Sequence, residues 1–346
     1  MNKIVFIYAR SFKPSGVSII ISHLKDIYEK NNIKVETITT LKGINKNSFI
    51  IPYGLLESFD LIKINYKCEI SLMIDAISLG AISEFLFFIG KKGIPFSFKI
   101  KKLIQFFYYF FLEFIVLIKY KDIVLVSHYD KKYFKKIFIL KKLNEKIIIL
   151  PNGVDIPSNE NIVNYKKKNY KTIKLGIISY WSKTAFYNVN WFIIKYFKLL
   201  KKKHPNMYLI ICGKGASNEM IRYWDEINGI NYIGEVDDLA NFFNQIDISL
   251  ITLPKKCGIL NKILDSFAYK KIVLGMQRNF YAFPYLKNAY YEFSDYNSIC
   301  NSIDMIINDK FETDLKIINA FEYIKKYHSW SEIYQKFYDK YLYKIN

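Results

Sequence analysis

A lysine and an aspartate three residues apart, Lys262 and Asp265, stand at the start of a helical pattern in the second half of the chain. They follow a predicted strand, Ile248–Leu253, and a loop that contains Gly258. Residues three apart share one helix face, and the free N–H groups of a helix N-terminus bind phosphates. The pattern could hold a diphosphate at the loop and two sugar hydroxyls at Asp265, but a surface Lys–Asp pair has the same spacing.

A second candidate follows the predicted strand Ile173–Ile178, where Ser182 and Lys183 lie in a polar loop that leads into a helix. The helix N-terminus and the Lys183 ammonium together could attract a phosphate group. An ordinary strand–helix loop with Asn188 as its N-cap explains the same residues. Both interpretations stay open.

Glycines follow the next strand. Gly213 and Gly215 come directly after Tyr208–Ile211, without the G-x-G-x-x-G spacing of a dinucleotide site. Glycine still allows a backbone to approach a nucleotide closely. A further strand and turn bring in Gly234 and Val236.

In the first half, Gly16 opens a helix after the first predicted strand, and Asp75 ends the strand Ile70–Ile74. Parallel α/β sheets place ligand-binding residues at such strand ends. N-cap duty for the next helix is an equal alternative for Asp75. His128 is flanked by Ser127 and Asp130, which we interpret as a capping box at a helix start.

Short apolar runs alternate with helical patterns, which predicts βαβ units around buried parallel sheets. The predicted strands are Ile4–Tyr8, Val35–Thr39, Ile70–Ile74, Ile123–Val126, Ile147–Leu150, Ile173–Ile178, Tyr208–Ile211, Ile248–Leu253 and Ile272–Leu274. The segment Pro151–Pro157 and the polar stretch after it predict a linker between two α/β halves. A cleft between the halves is the expected site.

The composition excludes several classes of protein. The chain has 346 residues, 51% of them hydrophobic, which excludes disorder, and its four cysteines have neither metal-site nor disulfide-framework spacing. The net charge of +20 allows nucleic acid, an anionic membrane or phosphate-bearing substrates as partners, although a Lys-rich, AT-biased composition also explains part of it. No nucleic-acid-binding signature is present, so nucleic acid is the weakest of the three.

The longest apolar stretch, Leu103–Ile118, contains Glu113 near its middle and is flanked by lysines on both sides. It is short for a membrane span, which needs about 20 apolar residues. A long core helix and a helix that dips into the headgroup layer are both compatible with it. The first residues lack a signal peptide pattern, so we expect a cytoplasmic protein, at the inner face of the plasma membrane.

Taken together, the ordered motifs resemble the retaining glycosyltransferases of family 4 (glycosyl transferases group 1), in a bacterial surface-polysaccharide branch. The resemblance rests on Val126-Ser127-x-x-Asp130, Asp75-Ala76-Ile77-Ser78, Pro151-Asn152-Gly153-Val154-Asp155, Ser182 and Lys183 with Asn188, Cys212-Gly213-Lys214-Gly215, Gly234-Glu235-Val236-Asp237, Gly258 to Asp265, and Tyr327-His328-Ser329-Trp330. It implies the GT-B fold: two doubly wound Rossmann-like domains that face a central cleft, with a C-terminal helix that crosses back. The implied ranges are 1–157 for the acceptor domain, 158–327 for the nucleotide-sugar domain and 328–346 for the crossing helix.

The resemblance also implies chemistry. Lys183 and Lys262 would stabilise the departing diphosphate, and Asp75 would line the acceptor side of the cleft, so these three are the predicted catalytic residues. The predicted donor-binding residues are Gly16, Ser182, Asn188, Gly213, Val236, Gly258, Ile259, Leu260 and Asp265. No metal or cofactor is expected, because lysines and helix N-terminal amides can stabilise the leaving group.

By the same resemblance, the expected activity moves a sugar with retention from a nucleotide-diphosphate sugar to a glycan or lipid-linked glycan, as in O-antigen or capsule synthesis. Expected partners are the donor, that acceptor and an anionic membrane. Two departures matter, since many members carry Glu where this chain has Asp265 and an acid where it has Cys257. These departures motivate a non-catalytic GT-B scaffold as one alternative, and a GT-B nucleotide-sugar epimerase is the other.

Overall fold

The computed structural model describes residues 4–10, 16–45, 48–138, 143–157 and 171–330, together with residues 333, 335 and 339. The first half contains parallel strands β1 (Ile4–Tyr8), β2 (Lys34–Ile38), β3 (Phe49–Pro52), β4 (Ile70–Ile74), β5 (Asp122–Leu125) and β6 (Ile147–Ile149). Its helices are α1 (Gly16–Lys30), α2 (Leu55–Lys63), α3 (Ile77–Phe88), α4 (Phe96–Lys119), α5 (His128–Ile137) and α6 (Leu143–Lys146).

The strands of the first half form two connected three-stranded sheets, in the orders β2-β1-β3 and β4-β5-β6. A parallel bridge between Tyr53 and Leu72 joins them, and the N–H of Gly54 donates to the carbonyl of Leu72 at 2.8 Å. Strand β3 was not predicted from the sequence, because its short run FIIP lies next to polar residues.

The second half contains one six-stranded parallel sheet in the order β12-β11-β10-β7-β8-β9. Its strands are β7 (Ile173–Ile178), β8 (Met207–Cys212), β9 (Ile230–Tyr232), β10 (Ile248–Ile251), β11 (Ile272–Met276) and β12 (Tyr291–Phe293). Its helices are α7 (Lys183–Phe192), α8 (Lys198–Lys203), α9 (Asn218–Asp225), α10 (Leu239–Phe243), α11 (Asn261–Ala268), α12 (Tyr296–Asn308) and α13 (Lys310–Tyr327), with a π-helical turn at Ile193–Phe197.

Aromatic side chains of the first half pack into the core of the second half. Phe87 and Phe88 of α3 belong to the main core of the second half, and the Phe87 ring meets Trp191 of α7 edge-on at 4.9 Å. Burial of such aromatic surface stabilises the contact through the hydrophobic effect.

The chain returns to the first half after α13. Trp330 packs into the core beside β1 and α1, where its ring stacks on His23 at 4.6 Å between centroids. The N–H of Val154 donates to the carbonyl of His328 at 2.9 Å. Apart from residues 333, 335 and 339, the rest of the predicted crossing helix lies outside the described residues, as does the predicted boundary at residue 158.

Helix α4 contains the long apolar stretch, and Glu113 lies fully buried on its inner face. Two lysines just before this stretch make contacts within the protein: the Lys99 ammonium donates to the carbonyl of Lys91 at 2.9 Å, and Lys102 pairs with Glu84 at 2.6 Å. Within the described residues, no helix combines the length and hydropathy that a membrane span requires.

Candidate functional site

The strand order of the second half creates a crevice between β7 and β10. These neighbours pair through Ile248 and Leu175. The chain continues from β7 to β8 on one side of the sheet and from β10 to β11 on the other. In open parallel sheets, ligands bind at the carboxyl ends of strands at such a switch point. A small pocket lies here, and Ser179, Asn188, Thr252 and Lys262 are among its lining residues.

Lys262 occupies this crevice. Its ammonium donates to the carbonyl of Ile178, the last residue of β7, at 2.8 Å, and lies 3.4 Å from the hydroxyl of Ser179. Burial lowers the Lys262 pKa to about 8, while nearby Asp265 opposes this effect. The crevice therefore holds a cation at the position where an anionic ligand of this sheet would lie.

Asp265 lies one helical turn after Lys262 in α11 and is half-buried. Burial raises its pKa to about 7; the Lys262 charge lowers the pKa and the Asp155 charge raises it further. Close to neutral pH its carboxyl group can accept hydrogen bonds and, when protonated, donate one. That chemistry suits hydroxyl groups such as those of a ribose.

The loops after β7, β8 and β9 are joined by backbone hydrogen bonds. The N–H of Ser179 donates to Cys212 at 3.1 Å, and the N–H of Gly213 donates to Gly234 at 2.7 Å. Gly213 has a φ of 122°, and a Cβ there would lie 2.0 Å from the Ser179 carbonyl oxygen. Only glycine fits this approach, and it places the predicted residue Gly213 beside the crevice. Val236, half-buried, follows two residues after Gly234.

The prediction that Asn188 caps a helix is wrong. Helix α7 begins earlier, with Ser182 as its N-cap accepting from the N–H of Ala185 at 3.3 Å. Asn188 is buried inside α7, and its side-chain amide donates to Thr252 Oγ1, just beyond β10, at 2.9 Å. Asn188 therefore connects α7 to the crevice, while Lys183, in the first turn of α7, is exposed.

The Gly258 loop docks on the first half. Its N–H donates to the buried carboxylate of Asp130 at 3.0 Å, and the N–H of Ala76 donates to the same group at 3.3 Å. Burial, with the Asp75 charge, raises the Asp130 pKa to about 7. Ser127 caps α5 as predicted, by accepting from the Asp130 N–H, but the Asp130 carboxylate reaches across to the second half rather than back to Ser127.

Asp75 also faces the second half, and the N-cap alternative for it is wrong. Ala76 occupies the N-cap position of α3, whereas the Asp75 carboxylate pairs with the Lys255 ammonium at 2.9 Å. Burial lowers the Lys255 pKa, but the charges and hydrogen bonds of Asp75 and Cys257 together raise it well above its usual value. A Cβ on Gly258 would lie 2.2 Å from Asp75 Oδ1.

The remaining predicted residues lie at helix starts. Ile259 is buried between the halves, Leu260 is at the N-cap position of α11 without a side-chain cap, and Gly16 begins α1. Within the described residues, no group of three or more His, Cys, Asp or Glu side chains is placed to hold a metal ion.

Sequence reasoning missed Lys255 and the bridging role of Asp130. Lys255 follows the carboxyl end of β10, so the strand-end rule that selected Asp75 could have found it. Nothing in the local pattern around Asp130 indicates its partner, because Gly258 lies 128 residues away in sequence.

Residues 175–284 match the family described as Glycosyl transferases group 1, a range that includes the crevice. No curated protein sequence matches the chain. Among solved structures, the fold is similar to sucrose-phosphate synthase from Thermosynechococcus elongatus, with a TM-score of 0.70, 10% identity, and coverage of 99% of this chain and 100% of that one.

Two further structures are similar over almost their full length. HepE of Anabaena in complex with UDP-glucose gives a TM-score of 0.66 at 13% identity, covering 97% of this chain and 98% of that one. The lipopolysaccharide outer core galactosyltransferase WaaB gives 0.52 at 13% identity, covering 96% and 98%. With the parallel sheets described above, these similarities show a two-domain GT-B fold.

Proposed function

We propose that this protein is a glycosyltransferase that moves a sugar from a nucleotide-diphosphate sugar to a glycan or lipid-linked glycan acceptor in cell-surface polysaccharide biosynthesis. The observation that carries the proposal is the Lys262 ammonium at the carboxyl end of β7, in the crevice between β7 and β10. This crevice lies inside the segment that matches the group 1 glycosyltransferases. HepE, which is similar in fold, binds UDP-glucose.

The donor is proposed to bind the second half. Lys262 would neutralise the diphosphate, the start of α11 would supply backbone N–H groups, and Asp265 would accept ribose hydroxyls. Lys183, exposed at the start of α7, would approach the diphosphate from the opposite wall. These groups offset the negative charge that develops on the leaving diphosphate, so we propose metal-independent transfer.

The acceptor is proposed to bind the first half, with Asp75 lining the cleft. Retention of the anomeric configuration would require the acceptor hydroxyl to attack from the face that the diphosphate leaves. In the structure, Asp75 is paired with Lys255 and Asp130 with Gly258. Donor binding would therefore exchange the contact of the Gly258 N–H with Asp130 for one with phosphate.

A thermal-shift screen with UDP, GDP and ADP and their sugars, followed by product analysis, tests the proposal. A ligand at 100 times its Kd stabilises a protein by about 2.7 kcal/mol, which a melting curve resolves. We expect one nucleotide diphosphate and its sugar to raise the melting temperature, with sugar transfer only when an acceptor glycan is present. Donor isomerisation without acceptor would indicate an epimerase, and absence of any nucleotide binding would indicate a non-catalytic subunit.

A further inference from the structure

One face of α4 is apolar and exposed. Six side chains form it, and we call them the α4 stripe: Ile104, Phe107, Tyr108, Phe111, Phe114 and Ile118. Phe107 and Phe111 are each 60% exposed, far more than a core residue would be. At about 100° per residue the six lie within a sector of about 120°, and they extend along about 21 Å of helix. A contiguous apolar face of this kind marks an interaction surface.

The opposite face of α4 fixes this orientation. Leu112, Val116 and Leu117 are buried in the core of the first half, and Glu113 is buried beside them. The N–H of Ser78 donates to the Glu113 carboxyl group at 2.9 Å. Rotation of α4 to hide the stripe would expose these apolar side chains and break this contact. The stripe therefore faces outward as a consequence of the packing beneath it.

Along the chain from residue 85 to residue 137, the exposed charged side chains have one sign. Two exposed acids lie near this stretch: Glu69 pairs with Lys121, and Glu145 precedes Lys146, which donates to the Ile118 carbonyl. Between residues 85 and 137, a fully described stretch, no acidic side chain is exposed: Glu113 and Asp130 are buried and Asp122 is half-buried. The exposed lysines of the same stretch are Lys92, Lys101, Lys119, Lys121, Lys132, Lys135 and Lys136.

Two of these lysines bracket the stripe and two lie close to it. Lys101 and Lys119 occupy the same edge of α4, about 20° beyond the stripe at either end. Lys135 and Lys136 lie in the last turn of α5, whose C-cap Phe138 packs against the rings of Phe110 and Phe114 of α4. An apolar stripe bordered by lysines is the pattern of a helix that lies in the headgroup layer of a membrane.

We propose that the α4 stripe is a docking surface for a bilayer with anionic headgroups. The aromatic and aliphatic side chains would enter the boundary between headgroups and acyl chains, while the lysines extend to lipid phosphates. A second copy of this chain would bring two clusters of lysines together, and like charges oppose that contact. The inference deepens the proposed function, because it assigns the membrane partner of a lipid-linked acceptor to the acceptor half.

Vesicle flotation without donor or acceptor tests the surface separately from catalysis. We expect the purified full chain to float with vesicles of phosphatidylcholine mixed with phosphatidylglycerol, to bind phosphatidylcholine alone more weakly, and to dissociate as salt rises. Phe111→Asp should weaken binding roughly tenfold or more, since it removes an inserted ring and adds a repelled charge. Phe311→Asp is the matched control, because Phe311 is 80% exposed on α13 in the second half.

A second pair of variants tests the charges. Neutralising Lys101, Lys119, Lys135 and Lys136 to Gln should weaken binding by up to about fivefold per lysine at low salt. The control neutralises four exposed lysines of the second half, Lys195, Lys198, Lys202 and Lys310. Melting temperatures close to that of the unmodified chain establish that each variant is folded.

Three results would overturn the proposal. If Phe111→Asp binds vesicles as well as the unmodified chain does, the stripe is not the docking surface. If both sets of lysine variants lose the same amount of vesicle binding, the attraction depends on net charge and not on the lysines beside the stripe. A dimer that Phe111→Asp converts to a monomer, without vesicle binding by the unmodified chain, would identify a second copy as the occupant. Any of these can occur in a chain that transfers sugar normally, so they are distinct from failure of the proposed function.

Discussion

The buried carboxylate of Asp130 in the first half accepts a hydrogen bond from the backbone N–H of Gly258 in the second half at 3.0 Å. The contact connects α5 to the loop before α11, and it occupies the N–H that we propose as a donor-phosphate contact. A buried carboxylate without its donors is costly. We infer that the two halves are held together here until another anion replaces Asp130.

Gly258→Ala should destabilise the protein. Gly258 has a φ of 65°, and an added Cβ would lie 2.2 Å from Asp75 Oδ1. Strain and clash together should lower the free energy of unfolding by about 2–4 kcal/mol, as chemical denaturation would measure.

Gly234→Ala separates the two causes. Its φ of 76° carries a similar backbone cost, but nothing lies within 4 Å of the added Cβ. We expect it to lose only about 1 kcal/mol. Equal losses at the two positions would mean that the contact with Asp75 contributes nothing.

Lys262→Ala should weaken binding of the nucleotide diphosphate. Lys262 is the cation of the crevice, and a hydrogen bond between charged groups contributes about 1.5–3 kcal/mol, or roughly a 10- to 100-fold change in Kd. Isothermal titration calorimetry measures this change. Lys310→Ala, which removes an exposed lysine of α13, is the control. If the affinity is unchanged in Lys262→Ala, Lys262 does not bind the nucleotide diphosphate.

Glu113→Gln should flatten the loss of stability at rising pH. Burial raises the Glu113 pKa to about 8, from an ordinary value of 4.5. The folded state holds the proton more tightly than the unfolded state does. The stabilisation that protonated Glu113 contributes to the fold is therefore fully present below pH 4.5 and is lost as the pH rises through 8. The slope is at most about 1.4 kcal/mol per pH unit.

The measurement is the free energy of unfolding by urea at several pH values in that window. Gln can still pair with Ser78, so the comparison isolates the charge. Glu69→Gln replaces an exposed carboxylate and serves as the control. A slope that stays the same in Glu113→Gln would assign the pH dependence to other groups, among them Asp130, whose raised pKa acts in the same direction.

The strands were the most predictable part of the fold. Buried parallel strands are continuous apolar runs, so β4 and β7 were predicted with their observed bounds. The short strands β3 and β12 were not predicted, because three or four residues give little periodicity. The start of α7 was misplaced because both Ser182 and Asn188 are acceptable N-caps by composition.

The contacts between the halves were not predictable from local patterns. Asp75 could be located at a strand end, but its partner Lys255 lies 180 residues away. The exposed face of α4 was ambiguous for another reason. Almost every residue from Leu103 to Ile118 is apolar, so periodicity does not identify the inner face, and the carboxylate of Glu113 lies inside.

His328→Asn should flatten the loss of stability at falling pH. Burial lowers the His328 pKa to about 4, and its Nδ1 lies 2.6 Å from the Asn152 carbonyl oxygen. The folded state resists protonation of His328. The stabilisation that neutral His328 contributes to the fold is therefore present above the ordinary pKa of 6.5 and is lost as the pH falls from there towards 4. An asparagine amide can replace the Nδ1–H donor without a titratable group. The free energy of unfolding, measured by denaturation between these pH values, should therefore fall less steeply towards acid pH in His328→Asn. His128→Asn, at an exposed position, should leave this pH dependence unchanged. If the free energy of unfolding falls equally steeply with pH in both variants, protonation of His328 does not limit stability at the crossing between the halves.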